Sequence, residues 1–225
     1  MGFEKQDWES IWTQPTQPWV ESGGDQSLRL IYPELITLRG EFSSGSTALV
    51  PLCGDSTAVR YLFDRGHRVT AVDFVPDAVR KLAQTQFPDV EFAHTIDDPM
   101  TLLSGERIRL IAQDFNAFDA GDGFDLIYDR GALVALSHSQ RALYIEKLLE
   151  SLKPGGVLIV VADEFSVPDW SGPPYPLTRQ EVEQLFPTLG CVWCASRNRP
   201  LADTDRRYSP SRRTIVENHV VLGRK

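Results

Sequence analysis

The sequence predicts an α/β fold, in which a doubly wound and mostly parallel sheet carries helices on both faces. Short apolar segments alternate with helix-patterned segments from Ser46 onward, and each apolar segment has the length of a single strand. A chain of 225 residues with 42% hydrophobic and 24% charged residues is expected to form one globular domain. Within it, residues 1–45 are expected to form an N-terminal helical cap and residues 46–225 the core.

The first forty residues differ in composition from the rest of the chain. They contain Trp8, Trp12 and Trp19, with a Pro/Gln-rich stretch at residues 13–18. Residues 25–38 carry leucine and isoleucine at helical spacing, which predicts a helix ahead of the first strand. We therefore expect helices and a loop before the sheet begins.

The core elements follow in alternating order, each bounded by turn or capping residues. Asp55 or Ser56 is expected to cap a helix that runs to about residue 65, and Pro76 opens a helix that ends near residue 86. The remaining helices are expected at residues 139–152 and 178–186. The expected strands are residues 47–51, 67–73, 90–95, 108–113, 124–128, 157–162, 191–198 and 214–222.

Charge and composition argue against several classes of protein. A net charge of −8 disfavours nucleic acid as the main partner, although the C-terminal third is locally rich in arginine. The longest apolar stretch, residues 157–162, is much shorter than the roughly 18 residues of a membrane span. The N-terminus has no signal-peptide pattern and the three cysteines suit reduced thiols, so the expected compartment is the cytoplasm.

A glycine and an aspartate mark a candidate ligand site. In doubly wound sheets ligands bind beyond the carboxyl ends of the strands, and Gly54 follows the first strand. A single glycine there, rather than the three of the dinucleotide fingerprint, disfavours NAD and FAD. Asp73 ends the second strand, where a carboxylate accepts both hydroxyls of a ribose. The pair suits a nucleoside without a pyrophosphate, most commonly S-adenosylmethionine; the alternatives are a solvated carboxylate and a plain turn glycine.

Two further positions follow later strands. Asp114 comes after the strand at 108–113, where it is placed to accept from an adenine amine while Phe115 offers a flat apolar contact; the alternative is a capping or loop aspartate. Arg130 follows the strand at 124–128, at the floor of the active site of such a sheet. Burial of an arginine is costly without a partner, so a functional role is favoured over a bridge to Asp129 or a neighbouring carboxylate.

Five stretches, at residues 8–12, 50–56, 63–67, 128–135 and 172–175, occur in one order along nearly the whole chain. In this order they resemble the thiopurine S-methyltransferase family. The Pro-Leu-Cys-Gly and Asp-Arg-Gly-Ala-Leu segments within them are together highly specific. The resemblance implies a class I methyltransferase fold, that is, a Rossmann-like sheet of seven strands, with S-adenosyl-L-methionine as cofactor and S-adenosyl-L-homocysteine as product.

The resemblance also implies roles for individual residues. Trp12, Leu52, Asp73 and Arg130 fall on family positions that contact the cofactor, although family members have Glu at the place of Asp73. With the positions argued above, the predicted cofactor site is Trp12, Leu52, Gly54, Asp73, Phe74, Asp114, Phe115 and Arg130. Arg130 is expected to be catalytic, and Trp19, Arg130 and Tyr175 are expected to bind substrate.

Two departures from the family pattern affect the substrate rather than the cofactor. The family commonly follows its second Trp with a Gly-x-x-x-Phe-His stretch, whereas residues 13–20 here hold two prolines and Trp19. Position 55 is Asp where Lys is usual. The arginines between residues 197 and 213 are either a solvated charged hairpin, or they include one or two that attract an anionic substrate or stabilise a thiolate.

No metal site is expected. Cys191 and Cys194 form a C-x-x-C on a predicted strand, where residues i and i+3 point to opposite faces. The four histidines show no spacing typical of metal ligands.

The function expected from these features is methyl transfer from S-adenosylmethionine to a small molecule, with the sulfur of a thiol or thiopurine-like heterocycle as the favoured acceptor. Such an acceptor needs no strong base, because its anion is accessible near neutral pH. The alternatives are an N- or O-methyltransferase of a secondary metabolite and a non-catalytic S-adenosylmethionine-binding protein. We expect a monomer or weak homodimer without nucleic-acid or membrane partners.

Overall fold

The computed structural model describes residues 5–14, 25–97 and 100–224. The nine strands of this part of the chain are β1 (Thr47–Pro51), β2 (Arg68–Asp73), β3 (Ala93–Asp97), β4 (Met100–Ser104), β5 (Ile108–Ala112), β6 (Phe124–Arg130), β7 (Leu152–Glu164), β8 (Leu189–Pro200) and β9 (Thr214–Arg224). The α-helices described are α1 (Lys5–Trp12), α2 (Gln26–Arg39), α3 (Thr57–Asp64), α4 (Pro76–Gln86), α5 (His138–Ser151) and α6 (Arg179–Leu185).

The strands form one sheet in the order β3-β4-β5-β2-β1-β6-β7-β9-β8. The five from β5 to β7 pair in parallel, whereas β9 runs antiparallel to both β7 and β8. The predicted doubly wound and mostly parallel sheet is therefore confirmed. The expected count of seven strands is too low, because β3 and β4 form an antiparallel hairpin that extends the sheet beyond β5.

The core lies on both faces of the sheet, and β1 shows how one strand serves both. Val50 belongs to the apolar cluster that packs against α2, α3 and α4. Its neighbour Leu49 belongs to the cluster on the opposite face, under α5 and α6. Successive side chains of a strand point to opposite faces, so a fully apolar strand such as β1 is buried from both sides.

Local sequence explains most element boundaries, with one exception in β7. Ser56, one of the two predicted caps, accepts a hydrogen bond from Ala58 N at the start of α3, and Pro76 opens α4 as predicted. Residues 153–156, Lys-Pro-Gly-Gly, separate the expected helix at 139–152 from the expected strand at 157–162, but they lie inside β7. A Cβ at Gly156 would lie 2.9 Å from the Phe124 carbonyl oxygen, so glycine is what allows the irregular pairing of β7 with β6 there.

Two further observations concern the chain as a whole. Within the described residues, no helix combines the length and apolarity that crossing a membrane requires. Helices α1 and α2 precede β1, in the region expected to form a cap, and the division into cap and core stays a prediction.

Candidate functional site

The predicted site residues that the structure describes gather at one edge of the sheet. Strands β5, β2, β1 and β6 are neighbours and parallel, so their carboxyl ends meet at the same edge. The residues at these ends are Leu52 and Gly54 after β1, Asp73 and Phe74 at the end of β2, Asp114 and Phe115 after β5, and Arg130 at the end of β6. This edge is where doubly wound sheets bind their ligands.

The turn after β1 is held against the end of β2 by Asp73. One Asp73 oxygen accepts from Gly54 N at 2.9 Å, and the other accepts from Val75 N at 2.9 Å. Leu52 and Gly54 both have positive φ, +45° and +51°, in the left-handed region that costs a non-glycine residue energy. Strain at Leu52 is thus offset by hydrogen bonds that fix the turn at the ligand edge.

Burial dominates the chemistry of the Asp73 carboxylate. Asp73 is only 6% exposed, so the alternative of a solvated strand-end carboxylate is wrong. Burial raises the pKa of the Asp73 carboxyl to about 6, against the opposing effect of the hydrogen bonds from Val75 and Gly54. Gly54 N and Val75 N each donate to one carboxylate oxygen, and Phe74 N is a third main-chain donor to Asp73. Two carboxylate oxygens offer about four acceptor sites, so acceptor capacity remains toward a ribose hydroxyl.

Trp12 lies directly over the turn at Gly54. A Cβ at residue 54 would lie 2.8 Å from Trp12 Cζ2, so the contact is possible only with glycine. Lys81 of α4 places its Nζ 5.5 Å from the Trp12 ring centroid and 2.8 Å from a carboxylate oxygen of Asp55. Asp55, which stands where the family usually has lysine, is therefore paired with a lysine from α4, and the cation remains beside the tryptophan.

The two predicted adenine contacts differ in their outcome. Asp114 caps a 3-10 turn by accepting from Asn116 N at 2.9 Å, so the capping alternative is observed. Phe115 is only 4% exposed and stacks on Phe118 in the core, with its ring 5.4 Å from that of Tyr144. The turn that Asp114 caps directs the Phe115 ring inward, and a contact of this ring with a ligand stays a prediction.

Arg130 faces the buried carboxylate of Asp25, which fits the alternative of a bridge to a neighbouring carboxylate. Its Nη1 lies 3.9 Å from Asp25 Oδ2, and Asp25 also accepts from the Tyr128 hydroxyl at 2.8 Å and from Leu28 N at the start of α2. Asp129 is not the partner of Arg130, since it accepts from Leu133 N and from a tyrosine hydroxyl on the other side of the strand. The signal that was available for Asp25 is its position as the cap of a predicted helix.

The substrate side of the site is only partly described. Trp19 lies outside the described residues. Tyr175 is half-buried, and its N–H donates to Val134 O at 2.6 Å, which ties the loop after β7 to the loop after β6. Trp170, which no sequence pattern indicated, lies on the loop after β7 and donates from Nε1 to Pro174 O. The guanidinium of Arg206, one of the arginines between residues 197 and 213, lies 5.0 Å from the Trp170 ring centroid.

Three arginines of the C-terminal segment belong to ion pairs with buried or half-buried carboxylates. Arg197 and Arg199 both pair with Glu217, which is 1% exposed, at 2.7 and 3.1 Å. Arg199 and Arg207 also pair with Asp163 at the end of β7, at 2.8 and 2.6 Å. A solvated charged hairpin is therefore the wrong description for these three arginines.

The C-x-x-C pair corrects a second expectation. The register of β8 on β9 shifts between Cys191 and Trp193, so Val192 forms a β-bulge. The bulge brings Cys191 and Cys194 to the same face, and the expectation of opposite faces is wrong because it assumed regular alternation. Among the described residues, no group of three or more His, Cys, Asp or Glu side chains has the arrangement of a metal site.

Comparison with solved structures defines the class of protein. N-methyltransferase NodS from Bradyrhizobium japonicum WM9, solved with S-adenosyl-L-homocysteine, matches with a TM-score of 0.67 and 18% identity over 97% of each chain. The 1,6-didemethyltoxoflavin-N1-methyltransferase of Burkholderia thailandensis, also solved with S-adenosylhomocysteine, matches with a TM-score of 0.58 and 19% identity over 98% of this chain and 84% of that one. At these identities the likeness establishes the fold, which is that of the class I methyltransferases.

The sequence then identifies the family. The family model described as Thiopurine S-methyltransferase (TPMT) matches residues 3–225, and the chain belongs to this family, as its motifs predicted. Thiopurine S-methyltransferase of Vibrio cholerae serotype O1 (strain M66-2) is 34% identical over 145 residues, 64% of each protein. That of Aliivibrio fischeri (strain MJ11) is 34% identical over 147 residues, 62% of this chain and 65% of the relative. The matched region thus spans slightly less than two thirds of these curated relatives.

Proposed function

We propose that this protein is an S-adenosylmethionine-dependent methyltransferase that methylates a small molecule, with the sulfur of a thiol or thiopurine-like heterocycle as its acceptor. The observation that carries the proposal is the buried Asp73 carboxylate hydrogen-bonded to Gly54 N at the ligand edge of a methyltransferase sheet. Membership of the family supports the same activity.

The cofactor-binding residues divide by the chemistry they offer. Asp73 accepts the ribose hydroxyls with its remaining lone pairs. In the turn at Leu52 and Gly54, the glycine has no Cβ, so its main chain is open to the cofactor. Trp12 covers this turn and offers an aromatic face, which favours a sulfonium cation and excludes water. Phe74 and Asp114 lie at the neighbouring strand ends and complete the site. When bound, the cofactor supplies an electrophilic methyl group.

Arg130 is the residue that we assign to the acceptor. It is the last residue of β6 and its side chain is 23% exposed, so a guanidinium reaches the ligand edge without full burial. A thiol or acidic heterocycle reacts as its anion, and a cation at this position holds that anion and favours its formation. The protein then contributes alignment and desolvation rather than a base. Tyr175 and the undescribed Trp19 are proposed to bind the same acceptor.

The decisive experiment measures transfer of a labelled methyl group to a panel of thiols, thiopurines, N-heterocycles and O-acceptors. The proposal expects thiols or thiopurines to have the highest kcat/KM. Preferred turnover of N- or O-acceptors would reassign the acceptor atom. Cofactor binding without any turnover would favour a non-catalytic protein, and NAD binding without S-adenosylhomocysteine binding would refute the cofactor assignment.

Variants of Arg130 test its role. Arg130→Ala should lower kcat/KM by about 10- to 150-fold, the effect of losing about 1.5–3 kcal/mol of charged hydrogen bonding. Arg130→Lys should restore only part of it, because lysine lacks the forked geometry of arginine. Asp25→Asn is the matched control, since it removes the carboxylate near Arg130 and retains a side-chain oxygen for the cap. Full activity of folded Arg130→Ala would leave this arginine with a structural role only.

We also propose a cytoplasmic monomer or weak homodimer that acts on small molecules rather than on nucleic acid or membranes. The net charge of −8 argues against nucleic acid as a partner. The three cysteines, described without disulfides, support a reducing compartment. Sedimentation of the purified protein over a range of concentrations tests the oligomeric state.

A further inference from the structure

The two cysteines of β8 lie side by side on one face of an edge strand. Cys191 pairs with Leu222 of β9 and Cys194 pairs with Val220, while Trp193 pairs with Val221 between them. Leu222 and Val220 both pack in the apolar cluster under α6, whereas Val221 packs in the cluster on the opposite face. The thiols therefore share the α6 face of the sheet although three positions separate them in sequence.

The bulge that causes this arrangement has a local reason. Val192 is the extra residue of β8, is 47% exposed, and sits over Gly223, where a Cβ would lie 3.0 Å from Val192 Cγ2. Glycine at 223 leaves room for the bulged side chain. The spacing that results is that of next neighbours on a strand, because the partners of the cysteines on β9 are two residues apart. The two side chains are hydrogen-bonded to each other, so their sulfurs lie within contact range.

The surroundings of the two sulfurs differ in a way that suits thiol chemistry. Arg179, the first residue of α6, donates from Nη1 to Cys194 Sγ at 3.2 Å. This contact places a cation at hydrogen-bond distance from the Cys194 sulfur. Burial and a hydrogen bond to Cys194 raise the pKa of Cys191 to about 11, so Cys191 retains its proton while its neighbour reacts. Cys191 is exposed and Cys194 is half-buried, so solutes reach the pair.

We propose that Cys191 and Cys194 are an oxidative modification site, which a peroxide converts into an intrachain disulfide. The Cys194 thiolate attacks one oxygen of the peroxide, the O–O bond breaks, and a sulfenic acid forms at Cys194 with release of water after proton uptake. The Cys191 sulfur then attacks the sulfenic sulfur, the S–O bond breaks, and a second water leaves with the Cys191 proton. The two thiols lose two electrons and the peroxide gains them. The site is distinct from the proposed active site and does not depend on it.

The test uses the full chain and hydrogen peroxide as the oxidant. After oxidation and denaturation, alkylation should modify one cysteine of the three, Cys53, and the unalkylated protein should lose the mass of two hydrogens. Cys53 is an internal control, because it is 5% exposed and burial raises the pKa of its thiol well above its usual range. Peptide mapping should find Cys191 joined to Cys194, and dithiothreitol should restore all three thiols.

Three variants test the geometry. Cys191→Ser should stop the mass loss and leave a sulfenic acid at Cys194 that a dimedone-type reagent traps. Arg179→Gln should slow the oxidation several-fold, whereas Arg213→Gln, at an exposed arginine elsewhere, should not. Interchain disulfides, sulfinic acids without a disulfide, or three alkylatable thiols after a dose that fully oxidises free cysteine would each overturn the proposal.

Discussion

Acidification should weaken cofactor binding through a single carboxylate. Burial raises the pKa of Asp73 to about 6 in the unliganded protein, and the ionised form is the one that accepts two hydroxyl donors. At about pH 5 roughly nine tenths of the Asp73 carboxyl is protonated, one unit below its pKa. If only the ionised form binds, the Kd for S-adenosylhomocysteine should rise about tenfold between about pH 8 and about pH 5, equivalent to about 1.4 kcal/mol.

Two variants assign this pH dependence. Asp73→Asn cannot ionise, so its affinity should be nearly constant over the same range and about 1–3 kcal/mol weaker than the wild type at the alkaline end. Asp129→Asn is the matched control: Asp129 is also fully buried, and burial also raises its pKa to about 6. Its partners are Leu133 N and the Tyr144 hydroxyl, so this variant should lose stability but keep the tenfold change in affinity.

Calorimetric titration of S-adenosylhomocysteine across the pH range measures the effect, with circular dichroism at each pH to confirm that the protein is folded. A wild-type affinity that does not change between the two limits would refute the reasoning. So would an Asp73→Asn protein that keeps the wild-type pH profile.

The same two carboxyls make the free energy of folding depend on pH. Folding raises the pKa of Asp73 and Asp129, so both residues oppose folding above about pH 6, and this cost disappears as the pH falls toward about 4.

Two further predictions concern stability. Gly54→Ala should lower the free energy of unfolding in urea by more than Gly121→Ala. Both glycines have positive φ, which costs alanine about 1–2 kcal/mol, but only the Cβ at residue 54 meets Trp12. Equal losses of stability in the two variants would show that the Trp12 contact has no effect. Glu217→Gln should cost about 3–5 kcal/mol at neutral pH, as expected for breaking a buried ion pair, whereas exposed Glu150→Gln should stay within about 0.5 kcal/mol. Hydrogen bonds with His219, Arg197 and Ser27 hold the pKa of Glu217 well below its usual range, against the opposing effect of burial. The difference in stability should therefore persist as the pH falls until Glu217 itself protonates, and its loss at a higher pH would contradict the pairing.

The parts of the fold that depend on one segment alone were predictable from the sequence. The strand at 47–51 and the helix from Pro76 have the observed bounds, because an apolar run between turn residues and a proline at a helix start act locally. The placement of Gly54 and Asp73 was predictable too, since each follows a parallel strand and neighbouring strands end at the same edge. Their mutual hydrogen bond follows from that neighbourhood.

The features that depend on two distant segments were not predictable. The side-chain direction of Cys194 is set by a bulge whose room comes from Gly223 on another strand, and alternation counted along β8 alone gives the wrong face. Phe115 was assigned to the ligand because it follows a strand, but the space that its ring fills is made by Phe118 and Tyr144. Gly223 for Cys194 and Tyr144 for Phe115 lie far away in the chain, and neither partner can be identified from the segment that holds the predicted residue.

A loss of activity in Arg130→Ala has two structural explanations, which the contacts of Asp25 separate. The Asp25 carboxylate makes two structural contacts. It caps α2 by accepting from Leu28 N, and it accepts from the hydroxyl of Tyr128, which lies on β6 two residues before Arg130. Removing the Arg130 cation therefore changes the electrostatic environment of a buried carboxylate that joins the N-terminal helices to the sheet. If this joint were the only role of Arg130, Asp25→Asn would lower stability and activity in parallel with Arg130→Ala. Activity that survives in Asp25→Asn and is lost in Arg130→Ala would show that the guanidinium does more than hold Asp25, as expected if it contacts the proposed acceptor.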